Sequence, residues 1–225
     1  FNKQWRLIAK ELKSIPAHNL VFNLLNEPEF ENFKSGNARK TWEKWATQTV
    51  DTIRSVSPER TIIIEGIYKG LFARHNGPAN IIRPVSRTNI IYGFHYYPFD
   101  DWAEQDFYSA DGNGKRGKEV PMPSLNKLKS DLRKLVQYSN FYNVPVAVTE
   151  IGVTNPCEGF GPLRQDTIKY AEMAYETLVP NGIGMTFWSL ESINSPYERI
   201  EGRCYDTFDK ELIPNKLLFK ALRLP

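Results

Sequence analysis

Cysteine is scarce in this sequence, with two residues among 225. Cys157 and Cys204 stand far apart and lack the paired spacing and neighbouring histidines typical of zinc sites, so no metal site is expected. The sequence leaves open whether they form a disulfide or remain two unrelated thiols, because it does not identify whether the protein resides in an oxidising or a reducing compartment.

Long apolar runs and an excess of one charge are also missing. No stretch approaches the ~20 apolar residues that a membrane-spanning helix needs. The 29 basic and 26 acidic residues are spread along the chain and leave a formal net charge of +3, which creates no dedicated polyanion-binding surface. Nucleic acids and membranes are therefore not expected partners. Since no linker, repeat or low-complexity tract interrupts the chain, residues 1–225 are predicted to form one domain.

Apolar runs alternate with amphipathic segments along the whole chain. The runs predict strands at 19–25, 60–65, 89–97, 144–150 and 182–190. Helical periodicity predicts helices at 3–14, 38–55, 124–142, 163–179 and 214–223. The apolar stripe of the second helix consists of Trp42, Trp45, Ala46, Val50 and Ile53. Nearly continuous apolar strands between helices indicate an α/β fold with a parallel sheet, either doubly wound or closed into a barrel.

Polar and aromatic side chains gather where the predicted strands end. The first strand leads into Asn-Glu-Pro at 26–28, the third contains His95 and Tyr97, the fourth ends at Glu150, and the fifth contains Trp188. In a parallel barrel the carboxyl ends of all strands open onto one face, so residues far apart in sequence converge there. This convergence points to a functional site.

Two of these residues, Glu27 and Glu150, are carboxylates. Burying a lone charge at the end of an apolar strand is unfavourable unless the charge is solvated, paired or used. Two carboxylates that face one cleft repel each other, so one tends to keep its proton near neutral pH while the other stays charged. Cleavage of a glycosidic bond requires this division between an acid and a nucleophile.

Four segments resemble a known family: LLNEP at 24–28, HYYPF at 95–99, VTEIG at 148–152 and FWSLE at 187–191. They are similar to the cellulase-type members of glycoside hydrolase family 5, which are retaining hydrolases built on a (β/α)8 TIM barrel. Their order and spacing match strands four, six, seven and eight of that barrel. The resemblance covers essentially the whole chain and implies that strands 4–8 are present, whereas the first three βα units have no counterpart here.

The resemblance implies a role for each carboxylate. Glu27 would be the acid/base, and Glu150 would be the nucleophile that forms the glycosyl-enzyme. Of two adjacent tyrosines, Tyr97 rather than Tyr96 would donate a hydrogen bond to Glu150, because its spacing from His95 matches the family pattern.

Three further side chains would bind substrate by the same resemblance. Asn26 would hydrogen-bond the 2-hydroxyl of the sugar, and His95 would contact either the substrate or the acid/base. Trp188 would form the stacking floor of the subsite beside the cleaved bond, although ordinary core packing is also open for an indole at this position.

The implied function is retaining cleavage of a β-1,4-linked polysaccharide, as by an endo-β-1,4-glucanase, without a cofactor. The expected partner is a polysaccharide or oligosaccharide, and the expected location is extracellular. A β-mannanase or another β-glycanase of the same clan remains open, as does a non-catalytic carbohydrate-binding or assembly module derived from one.

The absence of the first three strands of the family barrel has two implications. Family members take an arginine and a histidine from them, and without them the 19–25 and 182–190 strands would each leave an apolar edge unpaired. The chain is then a fragment of a longer enzyme, or it pairs with a second copy or a complementing segment, or its sheet stays open beneath covering helices. We expect the isolated chain to be weakly active or inactive.

Overall fold

The computed structural model describes residues 1–28, 36–67, 82–98, 102, 121–153, 165–188, 197–198, 213–214 and 216–223. The helices are α1 (Asn2–Glu11), α2 (Gly36–Arg54), α3 (Leu125–Tyr142), α4 (Gln165–Leu178) and α5 (Lys216–Ala221). The strands are β1 (Phe22–Asn23), β2 (Ile62–Glu65), β3 (Ile90–Tyr96), β4 (Val146–Ile151), β5 (Gly184–Phe187), β6 (Tyr197–Glu198) and β7 (Ile213–Pro214). None of the helices within these ranges is long and apolar enough to cross a bilayer.

Strands β1 to β5 form a five-stranded sheet in chain order. β1 and β2 are parallel with Phe22 opposite Ile62, and β2 and β3 are parallel with Ile62 opposite Ile90. β6 and β7 form a separate antiparallel pair. The predicted parallel α/β architecture is confirmed, and each of the five predicted strands overlaps an observed one.

The chain divides into two compact units, residues 1–95 with 137–147 and residues 96–136 with 148–225. In the first unit α1 packs against α2. Helix α2 buries a stripe formed by Trp42, Ala46, Val50 and Ile53. The prediction that Trp45 belongs to this stripe is wrong, since its side chain is 46% exposed. At about 100° per residue, Trp45 lies to one side of the direction that the other four share.

Arg60, in the same unit, lies just before β2 and makes contacts with the end of α1 and the segment after it. Its side chain is buried, and its guanidinium lies over the ring of Phe22, 5.0 Å from the centroid. The guanidinium donates hydrogen bonds of 2.6–3.2 Å to the backbone carbonyls of Leu12, Ile15, Pro16 and Leu20. These bonds satisfy carbonyls near the end of α1 and fix the chain that enters β1.

In the second unit helix α4 and the first part of helix α3, up to residue 136, each present an apolar face. Leu128, Leu132 and Leu135 of α3 are fully buried, at helical spacing. Ala171 of α4 packs with Ala221 and Leu222 of the α5 region, and Met185 and Phe187 of β5 lie against this cluster. This packing fixes the end of β5 and therefore the backbone position of Trp188, which follows it.

Candidate active site

Glu27 lies four residues after β1 in a backbone conformation that is rare for its residue type. Its φ is 45°, in the left-handed region, and Pro28 follows it. Left-handed backbone is strained for residues other than glycine, and a following proline restricts it further. The Glu27 backbone N–H donates to Oε2 of Glu65 at 2.9 Å, and the Glu27 side chain is 28% exposed. The carboxyl group is therefore partly exposed, on a backbone that is hydrogen-bonded to Glu65.

Glu65, the last residue of β2, is a fully buried carboxylate. Its Oε1 accepts a hydrogen bond from Nδ2 of Asn23 at 2.6 Å, and its Oε2 lies 3.3 Å from Nε2 of His95. Its backbone carbonyl accepts from the indole of Trp42 at 2.7 Å. Burial alone would raise the pKa of Glu65, but the contact with His95 and the N–H donors outweigh it and hold the pKa below its ordinary value.

His95 connects the two glutamates. Its ring is fully buried near the end of β3, and Nδ1 lies 2.8 Å from Oε1 of Glu27. Strand register explains the convergence. Asn23 pairs with Ile63, and Glu65 pairs with Gly93, so the side chains at 23, 65 and 95 point to the same face of the sheet. We call Asn23, Glu27, Glu65 and His95 the Glu27 cluster.

Tyr97 and Glu150 form a second group, within the second unit. The Tyr97 hydroxyl donates to Oε2 of Glu150 at 2.9 Å, and Tyr97 is buried while Glu150 is half-buried. Tyr96 differs from its neighbour, because its ring stacks on Tyr170 in the core. Burial raises the pKa of Tyr96 far above the ordinary tyrosine value. Of the two adjacent tyrosines, only Tyr97 is seen to reach the carboxylate.

Trp188 and Asn26 are both exposed. Trp188 follows β5 directly, its backbone N–H donates to the carbonyl of Ile151 at 2.9 Å, and its side chain is 45% exposed. An indole fixed by its backbone and open to solvent is suited to stacking on a sugar ring. Asn26 is exposed in the turn before Glu27. Core packing, the other interpretation of Trp188, does not fit this exposure.

Sequence reasoning missed Glu65 and Asn23. Both were interpreted as parts of apolar strands, although a carboxylate at the end of such a strand is the same signal that singled out Glu27 and Glu150. Cys157 and Cys204 lie outside the described residues.

Ionisable side chains at the carboxyl ends of parallel strands are typical of the barrel-type α/β enzymes. The chain belongs to glycosyl hydrolase family 5, whose cellulase model matches residues 1–194. None of the curated proteins matches it significantly.

Several solved structures share the fold. The cellulose synthase subunit Z of Clostridioides difficile has a TM-score of 0.75 at 22% identity, with 98% of this chain and 66% of that chain covered. Cel5A of Thermotoga maritima in complex with mannotriose has a TM-score of 0.73 at 20% identity, with coverages of 98% and 65%. A structure described as an endoglucanase has a TM-score of 0.72 at 20% identity, with coverages of 98% and 64%. This chain therefore spans slightly less than two thirds of the length of these relatives.

Proposed function

We propose that residues 1–225 form one catalytic domain, part of a retaining endo-β-1,4-glucanase in which Glu27 is the acid/base and Glu150 the nucleophile. The observation that carries the proposal is the different environment of the two carboxyl groups in a family 5 chain. Glu27 contacts an imidazole that is itself in contact with a buried carboxylate. Glu150 instead accepts a phenolic hydrogen bond, which favours its ionised form.

The proposed reaction has two steps. In the first, Glu150 attacks the anomeric carbon while Glu27 gives its proton to the glycosidic oxygen, so the C–O bond breaks and a glycosyl ester forms on Glu150. In the second, Glu27 removes a proton from water, the water oxygen attacks the anomeric carbon, and Glu150 leaves as a carboxylate. The proton returns to Glu27, and the chemistry requires no cofactor.

The role of Glu27 can be tested with substrates that differ in their leaving group. Glu27→Ala removes the acid, so kcat/KM should fall by about 10²- to 10⁴-fold for β-glucan and change little for a dinitrophenyl cellobioside. The alkaline limb of the pH profile should also flatten with the activated substrate. Glu59→Gln, at an exposed position, is the matched control. Equal losses on both substrates would contradict the assignment.

In this proposal Trp188 and Asn26 bind the sugar beside the cleaved bond. The exposed indole would stack on the sugar ring, and the Asn26 amide would hydrogen-bond the 2-hydroxyl, a contact that strengthens in the transition state. Trp188→Ala should therefore raise KM, whereas Asn26→Ala should mainly lower kcat.

A β-mannanase is the second candidate, because Cel5A of Thermotoga maritima has been solved with mannotriose and with cellobiose. Reducing-sugar release from carboxymethyl cellulose, barley glucan, xylan and mannan separates the candidates. Faster release from glucan supports the glucanase, and faster release from mannan supports the alternative. Binding without release from any of the four would indicate a carbohydrate-binding module.

We further propose that the functional unit contains more polypeptide than these 225 residues. β1 stands first in the sheet order, and Val21 and Leu25 on either side of it are 41% and 40% exposed. Leu7 of α1 is 53% exposed. Apolar side chains at a sheet edge invite pairing with an upstream segment, a complementing fragment or a second copy. Sedimentation and activity measured together test this, since a monomeric and fully active 225-residue protein would refute it.

The proposed enzyme acts outside the cell, because polymeric β-glucan does not enter one. Immunoblots of culture medium and washed cells should find the protein in the medium. Retention in the cell interior would contradict the extracellular assignment.

A further inference from the structure

Glu65 carries none of the roles assigned so far, yet it contacts both the backbone of the acid/base and the histidine beside it. Its side chain is fully buried at the end of β2. A carboxylate in such a place is unfavourable unless its oxygens are satisfied by donors. The donors here are the Asn23 amide and the Glu27 backbone N–H, with His95 at contact distance.

The first consequence concerns the Glu27 backbone. A φ of 45° before a proline is costly for a glutamate and persists only where its surroundings impose it. Oε2 of Glu65 accepts the Glu27 N–H at 2.9 Å, which is the geometry of a charge-assisted hydrogen bond. Glu65 therefore stabilises the conformation that directs the Glu27 side chain.

The second consequence concerns the protons of His95. Nε2 faces the ionised carboxylate of Glu65 at 3.3 Å, and Nδ1 faces Oε1 of Glu27 at 2.8 Å. A carboxylate beside Nε2 favours a proton there, and an imidazolium has a second N–H that can donate to Glu27. Oε1 of Glu27 is then used as an acceptor, so whenever Glu27 is protonated its proton resides on the other oxygen, Oε2.

We propose that Glu65 is a positioning residue for the acid/base, holding the left-handed backbone of Glu27 and keeping His95 doubly protonated, so that Glu27 takes up and gives its proton at Oε2. This inference rests on the proposed function of Glu27. Glu65 does not touch substrate in this account and acts through the backbone of Glu27 and the ring of His95.

The groups that face the Glu65 side chain come from both neighbouring strands. His95 on β3 is the titratable partner, and on the β1 side the contacts are the neutral Asn23 amide and the Glu27 backbone. Helix α2 supplies Trp42, an uncharged donor to the Glu65 carbonyl. The proton state of His95 is therefore tied to the charge of Glu65.

The first test uses the unaltered protein and needs no activity. Side-chain ¹⁵N NMR distinguishes an imidazolium from a neutral imidazole, and the chain has three histidines, of which His95 is assigned by comparison with His95→Gln. Near neutral pH both ring nitrogens of His95 should be protonated. A neutral His95 ring in the unaltered protein would overturn the proposal.

The second test uses Glu65→Gln, with Glu59→Gln as the exposed control. The glutamine side chain carries an NH2 donor in place of one acceptor oxygen. This donor cannot accept hydrogen bonds from the three N–H groups that surround the site. His95 should lose one ring proton near neutral pH. The value of kcat/KM should fall about 10- to 100-fold for β-glucan and little for a dinitrophenyl cellobioside, whose leaving group needs no acid. An unchanged His95, or an equal loss on both substrates, would overturn the proposal.

The outcomes separate this inference from the function on which it rests. If the unaltered chain released sugar from no polysaccharide, even with a complementing segment, the proposed function would fail while the NMR result still reported on Glu65 and His95. If the chain is active and Glu65→Gln hydrolyses β-glucan at the unaltered rate, the positioning role fails and the function stands.

Discussion

The hydroxyl of Tyr97 donates a hydrogen bond to Oε2 of Glu150 across 2.9 Å, from a ring that is 6% exposed. A hydrogen bond from a fixed donor favours the ionised carboxylate and fixes the rotation of its two oxygens. Under the proposed mechanism this contact keeps the nucleophile charged and aimed before substrate arrives.

The neighbouring tyrosines provide a matched pair for testing this contact. Tyr97→Phe should lower kcat/KM about tenfold or more, since a hydrogen bond to a charged group contributes about 1.5–3 kcal/mol. The acid limb of the pH profile should also move to higher pH, because the ionised carboxylate loses a donor. Tyr96→Phe removes only a 3.4 Å hydroxyl contact to the Leu128 carbonyl in the core and should leave the acid limb in place. A shift of equal size in both variants would contradict the assigned contact.

Replacing the nucleophile tests its role separately from folding. Glu150→Gln keeps the shape of the side chain but removes the attacking oxygen, so turnover should be abolished while thermal stability and oligosaccharide binding remain close to the unaltered protein. Glu150→Gly should regain part of its activity with azide, which can attack the anomeric carbon from the vacated space. Near-normal turnover by Glu150→Gln would show that another group is the nucleophile.

The buried carboxylate of Glu65 predicts how stability depends on pH. Its pKa in the folded protein lies below the ordinary value of 4.5, so the unfolded chain takes up the proton more readily. Its contribution to stability is therefore fully present above that pH and is lost as the pH falls below it. Urea unfolding followed from neutral to acidic pH should show a smaller decline for Glu65→Gln than for Glu59→Gln. Identical declines would contradict the lowered pKa.

Among the buried cations of the described residues, Arg60 is expected to be the one whose substitution lowers the free energy of unfolding most. Arg60→Lys cannot reach the four carbonyls that the guanidinium now satisfies, and so leaves buried acceptors unpaired. The free energy of unfolding should fall by about 2–4 kcal/mol, read as a lower urea midpoint. Arg6→Lys, exposed on α1, should change it by less than about 0.5 kcal/mol. Equal effects of the two substitutions would contradict this account of Arg60.

The order and type of the helices and of strands β1 to β5 were predictable because they depend on local periodicity, whereas the β6–β7 pair was not predicted. The predicted helix at 163–179 corresponds to α4 (Gln165–Leu178), and the predicted strand at 60–65 contains β2. The first strand was predicted at 19–25, but β1 is limited to Phe22–Asn23. Strand length depends on pairing with neighbours, which a periodic pattern does not specify.

Only two of the four residues of the Glu27 cluster were predictable, again because the other two depend on pairing between strands. Glu27 and His95 carry a family motif, whereas Asn23 and Glu65 join them through strand register and through the left-handed backbone of Glu27. Paired residues are 40 apart in sequence between β1 and β2 and 28 apart between β2 and β3. Such register is a tertiary property, so the strand patterns alone could not reveal the contact.

Covalent trapping tests the central claim, retaining catalysis with Glu150 as nucleophile, most directly. A 2-deoxy-2-fluoro cellobioside with an activated leaving group slows breakdown of the glycosyl-enzyme, so the intermediate accumulates and survives proteolysis and peptide mass spectrometry. In a preparation that hydrolyses β-glucan, the account predicts one fluorosugar per chain, attached to the peptide that contains Glu150 and absent from Glu150→Gln. A label on another residue, or sustained hydrolysis with no label, would contradict it.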